Sequence, residues 1–274
     1  MENFAKRIRL ELLKTLMHLG FGHFGGSLSI VETLAVLYGK HMTIYPENPK
    51  HPNRDYFILS KGHAGPALYA TLALKGFFPL DMLDTLNQNG THLPSHPDCH
   101  LTPGVDMTTG SLGQGISVAS GIAYYHHVNH LPNKIFCIVG DGELNEGQCW
   151  EAFQFIAHHQ LKNLIVFIDE NKKQLDGTTS TICNPFDFVQ KMQSFGFHSL
   201  RIKGNDVNQI DLAIQEAYSQ DKPTAIILDT IKAQGVPYLE QKEDNHHIRP
   251  NKEDSAAIQI AISQLEEELN NGNA

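Results

Sequence analysis

The sequence predicts a doubly wound α/β fold, a mostly parallel sheet with helices on both faces, and three observations lead there. At least five short candidate strands, at 55–60, 134–139, 164–169, 197–202 and 224–231, alternate with segments of helical periodicity. The two strongest, KIFCIVG and LIVFID, are apolar at nearly every position, as strands buried on both faces are. Each stops abruptly at small, acidic or amide residues, Gly140-Asp141-Gly142 and Glu170-Asn171, as expected where a parallel strand delivers a loop to the carboxyl edge of a sheet.

Taken in order, residues 4–19 carry Ile8, Leu12, Leu13, Leu16 and Leu19 on one helical face and stop at Gly20. The stretch 20–27, GFGHFGGS, matches GxGxxG at Gly20, Gly22 and Gly25, but it follows a helix instead of a strand, so a dinucleotide site is rejected and an irregular backbone around His23 is expected. A helix over 29–38 leads through a Pro- and Asn-rich loop into the first strand, which ends at Ser60-Lys61-Gly62-His63. Helices at 66–74 and 80–86 precede a long polar loop, 87–109, holding His92, His96 and His100; loops of that length in a compact domain are usually functional or disordered. TTGSLGQGIS, 108–117, opens a helix rich in Ala and Gly. Further helices are expected at 147–159, 207–218 and 252–269, followed by a frayed NNGNA tail.

With 274 residues the chain suffices for one large α/β domain, and no repeat or low-complexity linker divides it. A formal charge of -9 argues against nucleic-acid and anionic-membrane binding. The first twenty residues intersperse charges with apolar positions, and no apolar run reaches spanning length, so neither a signal peptide nor a membrane span is expected. The four cysteines form no CxxC pair and Cys137 lies within an apolar strand, the pattern of a reduced cytoplasmic protein.

Several chemical readings compete. Gly140-Asp141-Gly142 by itself is more often a turn than a site. Placed beside Asn171, thirty residues on, it offers a carboxylate and an amide oxygen that can share a hard divalent cation, with room for phosphate oxygens in the remaining positions. An EF-hand is excluded because the glycine comes one residue late, at Gly147, and Ala152 stands where a bidentate Glu is needed. No GK[ST] follows for a P-loop. His126 and His130 lack the Glu of a HExxH motif and read as a solvated helix face. His23, His63, His96 and His246 differ in kind: each lies in an irregular segment, the first three next to Gly or Pro. If their loops converge above one sheet edge, they can bind hydroxyls and phosphate and move protons near neutral pH.

The ordered motifs GHFGGSLS, LSKGHAGPALYA, SHP, TTGSLGQGIS, GDGELNEGQCWEA and DENKKQLDG, spread from about residue 5 to 250, resemble the amino-terminal, diphosphate-binding portion of transketolase. The resemblance implies thiamine diphosphate as cofactor and Mg2+, or Ca2+ or Mn2+ in its place, held by the side chains of Asp141 and Asn171 and the backbone carbonyl of Lys173. It places Gly140 and Gly142 against the diphosphate with His63 and His246 nearby, and Gly110, Ser111 and Leu112 along the aminopyrimidine. His23 and His96 would reach the reacting carbons of a sugar, and Glu146 would link two active sites across a subunit interface; Glu143 receives no role. The family has Pro where Phe24 stands and Trp-His-Gly where Asn245-His246-His247 stands, so either His246 or His247 faces the diphosphate.

By the same resemblance, residues 1–274 form a single diphosphate-binding domain without the pyrimidine-binding and third domains of a full transketolase. The expected function is that of the amino-terminal subunit of a split transketolase, which transfers a two-carbon ketol unit between sugar phosphates in pentose phosphate metabolism. It would act only with a separate carboxy-terminal chain, in an α2β2 assembly. Two rivals are a thiamine-diphosphate enzyme of other specificity, such as one acting on an unusual sugar phosphate or a synthase or dehydrogenase component, and a non-catalytic subunit that kept the fold.

Overall fold

A computed structural model describes residues 1–271. Five strands form one wholly parallel sheet: β1 (Tyr56–Leu59), β2 (Ile135–Gly140), β3 (Leu164–Glu170), β6 (His198–Lys203) and β7 (Thr224–Asp229), in spatial order β1-β2-β3-β7-β6. The register pairs Phe57 with Phe136, Phe136 with Ile165 and Phe167 with Ile226. A separate two-stranded hairpin, β4 (Lys173–Gln174) and β5 (Gly177–Thr178), follows β3 directly.

Side chains along each strand divide between two cores. Phe136, Ile138, Ile165 and Phe167 face one way, and Ile135, Cys137, Val139, Leu164 and Val166 the other. The first face is covered by α1 (Glu2–Leu19), α3 (Val31–Val36), α4 (Gly65–Leu74), α9 (Val207–Tyr218) and α11 (Lys252–Asn271); the second by α5 (Gln114–Val128), α6 (Gly147–His158) and α8 (Phe188–Ser194). The connection rule explains the split. From β1 through β3 the chain steps in one direction, so right-handed crossovers put α5 and α6 on one face; from β6 to β7 it steps back, and α9 lands on the other.

Local chemistry sets the ends of these elements. α1 terminates at Gly20, whose φ of 80° is left-handed and whose N–H bonds the Leu16 carbonyl. α9 begins at Asp206, which accepts from the N–H groups of Asn208 and Gln209. The helix expected over 29–38 is shortened to α3, which a wider π turn carries on through His41, while a separate short helix, α2 (Phe24–Leu28), forms in the segment read as irregular. That turn brings His41 Nε2 to 2.7 Å from the Asp211 carboxylate on α9, a tertiary bond that propensity does not register. The 80–86 segment is a 3-10 turn, and α7 (Thr179–Ile182), α8, α10 (Pro237–Glu240) and the β4–β5 hairpin were not anticipated. The last three residues of the NNGNA tail lie outside the described residues.

The reading of His126 as a solvated residue is corrected. Its ring is buried edge-on against Tyr56 at 5.0 Å, and its Nδ1 shares a 2.8 Å hydrogen bond with the Ile122 carbonyl. His130 is exposed, as expected. All four cysteines are free, with Cys137 packed in the core. Among the described residues no helix is long and apolar enough to cross a membrane.

Candidate active site

Because the sheet is parallel, β1, β2, β3 and β7 all end on one edge, and the loops leaving them enclose a cavity of about 280 Å³. Its lining includes Asp141, Asn171, Lys173, Lys232 and His246, together with the backbone of Gly140 and Gly142. Asp141 directly follows the last residue of β2. Its Oδ1 accepts from the Gly142 N–H at 2.8 Å and its Oδ2 from the Lys172 N–H at 2.6 Å. Burial and, after it, the charge of Asp169 push the Asp141 carboxyl up to about 7; a cation beside it would favour the ionised form. Lys172 reaches Asp141 by adopting φ 67°, and Ala233, next to Lys232, has φ 66°. Left-handed non-glycine residues on both sides of one cavity are strain of the kind that concentrates at functional sites.

Three buried groups support this edge that the motif reading passed over. Asp169, the penultimate residue of β3, receives Lys61 Nζ at 2.6 Å, Ser29 Oγ at 2.8 Å, Asn171 Nδ2 at 2.8 Å and the Thr230 hydroxyl. Burial works to raise the Asp169 carboxyl, but the Lys61 charge and these bonds outweigh it and hold the group below the ordinary carboxylate range. Glu143 accepts from Ser60 Oγ, from the Gly113 N–H at 2.8 Å and from the Gly140 N–H at 3.0 Å, tying three loops together. The Gly140 N–H therefore points into the protein. Lys232 is 3% exposed and its ammonium lies 3.2 Å from the Lys173 carbonyl. Sequence offers only their place in or just past a strand-end motif; that they are buried, which such residues rarely are without partners, is seen in the structure.

Beside the cavity the four expected histidines converge. The His23 ring is 5.4 Å from His63, 6.0 Å from His96 and 5.4 Å from His246, and His63 is 4.8 Å from His246. His247 lies 4.7 Å from His23 and 5.9 Å from Phe21, while His246 lines the cavity. Glycines make this packing feasible: a Cβ on Gly26 would meet His63 Nε2 at 2.8 Å, and one on Gly25 would meet the Asn245 carbonyl at 2.2 Å. Gly110 packs against His96, Ser111 is exposed, Leu112 reaches the cavity wall, and Glu146 stands exposed on the rim at the start of α6.

Burial, chiefly, with the neighbouring His247, His96 and Lys232, lowers His23 to about 4; burial with Lys232 and His23 lowers His246 to about 3. His63 is held well below its ordinary value and His96 below it, again mainly by burial. All four rings are neutral at pH 7, each with one donor and one acceptor nitrogen. Groups with depressed imidazole values favour folding while uncharged. That contribution is complete above the unfolded value near 6.5 and is lost as pH falls toward 4, where the unfolded chain takes up protons that the folded one refuses. Thermal melts should show a loss on the order of a few kcal/mol between pH 7 and 4.5, and a His23→Asn/His246→Asn variant should show a shallower slope.

The residues present fit an anionic group with a hard cation. The donors comprise a carboxylate, an amide oxygen and a backbone carbonyl, all oxygen. Among the described residues there is no group of three or more His, Cys, Asp or Glu placed to hold a metal, so further oxygens would come from the ligand. Gly140 leaves space that its own packing does not require, since a Cβ there would sit in ordinary contact with Lys61 at 3.5 Å. His246 Nδ1 is buried with no hydrogen-bond partner.

Comparisons with known proteins agree with this architecture. The family described as transketolase, thiamine diphosphate binding domain, matches residues 1–264. A 6-deoxy-6-sulfo-D-fructose transketolase subunit from Clostridium sp. (strain MSTE9) is 48% identical over 98% of this chain and 97% of its own length. An apulose-4-phosphate transketolase subunit from Phocaeicola vulgatus is 34% identical over 98% of this chain and 96% of its own. The crystal structure of transketolase from Campylobacter jejuni superposes with a TM-score of 0.89 at 29% identity; the match covers 96% of this chain but only 43% of that one. The chain thus belongs to the transketolase family and corresponds to its amino-terminal, thiamine-diphosphate-binding domain.

Proposed function

We propose that this chain is the amino-terminal subunit of a thiamine-diphosphate- and Mg2+-dependent transketolase that moves a two-carbon ketol unit from a ketose to an aldose. The observation carrying this reading is the convergence of Asp141, Asn171 and Lys173 on one cavity beside four neutral histidines. In it, the side chains of Asp141 and Asn171 and the Lys173 carbonyl would hold the cation, and His63 and His246 would stand beside the diphosphate. Thiamine diphosphate, when bound, supplies the nucleophilic carbon and the electron sink. The protein orients it, keeps water away and moves protons among sugar hydroxyls through His23 and His96, whose neutral rings can both give and take a proton. Gly110, Ser111 and Leu112 line the aminopyrimidine, and Glu146, exposed on the rim, meets a second copy of the chain.

A cavity of about 280 Å³ is at or below the lower end of small-molecule sites, roughly 300–1,000 Å³. It suffices for the diphosphate end, and its rim residues Asn145, Glu146 and Leu175 are exposed. The remaining wall and the group that activates the cofactor ring come from a separate carboxy-terminal chain in an α2β2 assembly in the cytoplasm. The Clostridium relative is named for a sulfonated ketose and the Phocaeicola relative for apulose 4-phosphate. Accordingly the donor here is a specialised ketose with a terminal anion, not a general pentose phosphate, and 6-deoxy-6-sulfo-D-fructose is the first to test.

The experiment mixes this chain with its carboxy-terminal partner, thiamine diphosphate and Mg2+, and follows two-carbon transfer from a panel of sulfonated and phosphorylated ketoses. Turnover should require both chains and be greatest with the sulfonated donor. Full turnover by this chain alone would refute the split arrangement. Binding of cofactor without transfer from any ketose would favour an enzyme of other specificity, and no cofactor binding even with the partner would favour a non-catalytic role.

A further inference from the structure

Asp169 and Asp141 stand on neighbouring strand ends, yet only Asp141 faces the cavity. Asp169 is fully buried, and both of its oxygens are consumed: Oδ2 by Lys61, Ser29 and Asn171, Oδ1 by Thr230. The bond to Asn171 bears on the proposed cation site. An asparagine amide has two nearly isosteric ends, one a pure donor and the other an acceptor, and only the oxygen can ligate a cation. An ionised carboxylate accepts and never donates, so the end of Asn171 that meets Asp169 must be the nitrogen. Its oxygen is thereby turned the other way, where it accepts the Lys173 N–H at 3.2 Å on the cavity side.

We infer that Asp169 is a positioning residue for the cation site, sorting the two ends of the Asn171 amide so that its oxygen is the end presented. This rests on the reading of Asn171 as a ligand. Lys61 makes the arrangement tolerable, because its ammonium neutralises a carboxylate that would otherwise add a second uncompensated charge beside Asp141. Ser29 and Thr230 fix the two carboxylate oxygens separately, so the group is not free to rotate with Asn171.

The test is the sign of one substitution in two backgrounds. Asn171→Asp replaces an amide that must be sorted by a carboxylate whose two oxygens are equivalent. In the wild-type chain this puts two carboxylates in contact and should weaken Mg2+-dependent binding of thiamine diphosphate, read by calorimetry and thermal shift, by about tenfold or more. In Lys61→Met/Asp169→Leu, where nothing sorts the amide, adding Asn171→Asp should instead tighten binding, by about fivefold. Removing Asp169 also removes the like-charge contact, so the deciding comparison is Lys61→Met/Asp169→Leu with Asn171 intact: an unsorted amide should weaken Mg2+-dependent binding relative to wild type, and binding equal to wild type would overturn the inference. If that double variant does not fold, Lys61→Met/Asp169→Asn, which strands no charge, serves as background, where the penalty of Asn171→Asp should be at least about fivefold smaller than in wild type; equal penalties overturn it. Wild-type chain, with partner, that binds no cofactor defeats the functional reading and this inference together. Wild-type binding with no change of sign or size defeats this inference alone.

Discussion

Replacing Asp141 by alanine is expected to abolish the stabilisation of this chain by thiamine diphosphate with Mg2+ and to lower two-carbon transfer by on the order of a hundredfold or more. A ligand at a hundredfold excess over its Kd stabilises a folded chain by about 2.7 kcal/mol, which for a domain of this size raises the melting midpoint by roughly 5–10 °C. That increment should be present in wild type and missing in the variant. The variant without ligand distinguishes loss of a ligand site from loss of structure. Asp141 is a carboxylate buried beside Asp169, which is why its affinity for a proton is raised. Removing that charge relieves a cost, and Asp141→Asn, which still accepts a backbone N–H, should melt no lower than wild type above pH 7. A group that costs stability when alone and returns it only with a ligand is one retained for binding. A large drop in the melting midpoint of ligand-free Asp141→Asn would show instead that the residue serves the fold.

Much of this was legible in the sequence, for identifiable reasons. The five strands could be placed within a residue or two because β2 and β3 are apolar runs that end where small, acidic or amide residues begin, at Gly140 and Asn171, and the others follow the same alternation with helices. Helices with a clear stripe, such as α1 and α9, were placed equally well. What failed was set by distant contacts. α3 stops where it does because His41 finds Asp211, and His126 is buried because Tyr56 crosses above it. His23, His63 and His96 were visible through neighbouring Gly and Pro, which announce irregular backbone, and His246 through its loop, but the convergence of the four is a property of the sheet edge alone. That His246 and not His247 lines the cavity is likewise not legible in the spacing; one isolated bridge, Gly22 to Ile248, sets this segment beside the one that carries His23. Lys61, Asp169, Glu143 and Lys232 were present inside the quoted motifs or just past a strand. Nothing in their spacing shows that they are buried, and it is burial with mutual pairing that makes them supports of the site.

Lys61→Met should be among the most damaging substitutions to the fold, because it removes one half of a buried ion pair. Lys61 is 1% exposed and its ammonium lies 2.6 Å from Asp169, with a second bond of 2.7 Å to the Gly26 carbonyl. Breaking such a pair from one side costs about 3–5 kcal/mol, since the remaining carboxylate keeps its desolvation penalty and loses its compensation. In a domain of this size that lowers the melting midpoint by roughly 6–20 °C. Two further outcomes separate this cause from simple loss of packing. Asp169 in wild type is held below the ordinary carboxylate range, so its contribution is present above the unfolded value and lost only as pH falls through the lower folded one. Without Lys61 the balance reverses: burial favours protonated Asp169, and acid relieves the penalty. The gap between wild type and Lys61→Met should therefore be larger at pH 8 than at pH 5, whereas a packing defect would leave it constant. Adding Asp169→Leu should recover most of the stability, because a buried pair replaced on both sides by apolar groups of similar volume leaves no stranded charge. Recovery of the fold without recovery of cofactor binding would show that this pair, although it ties the ends of β1 and β3 to the segment of α2, is kept for the site it orients.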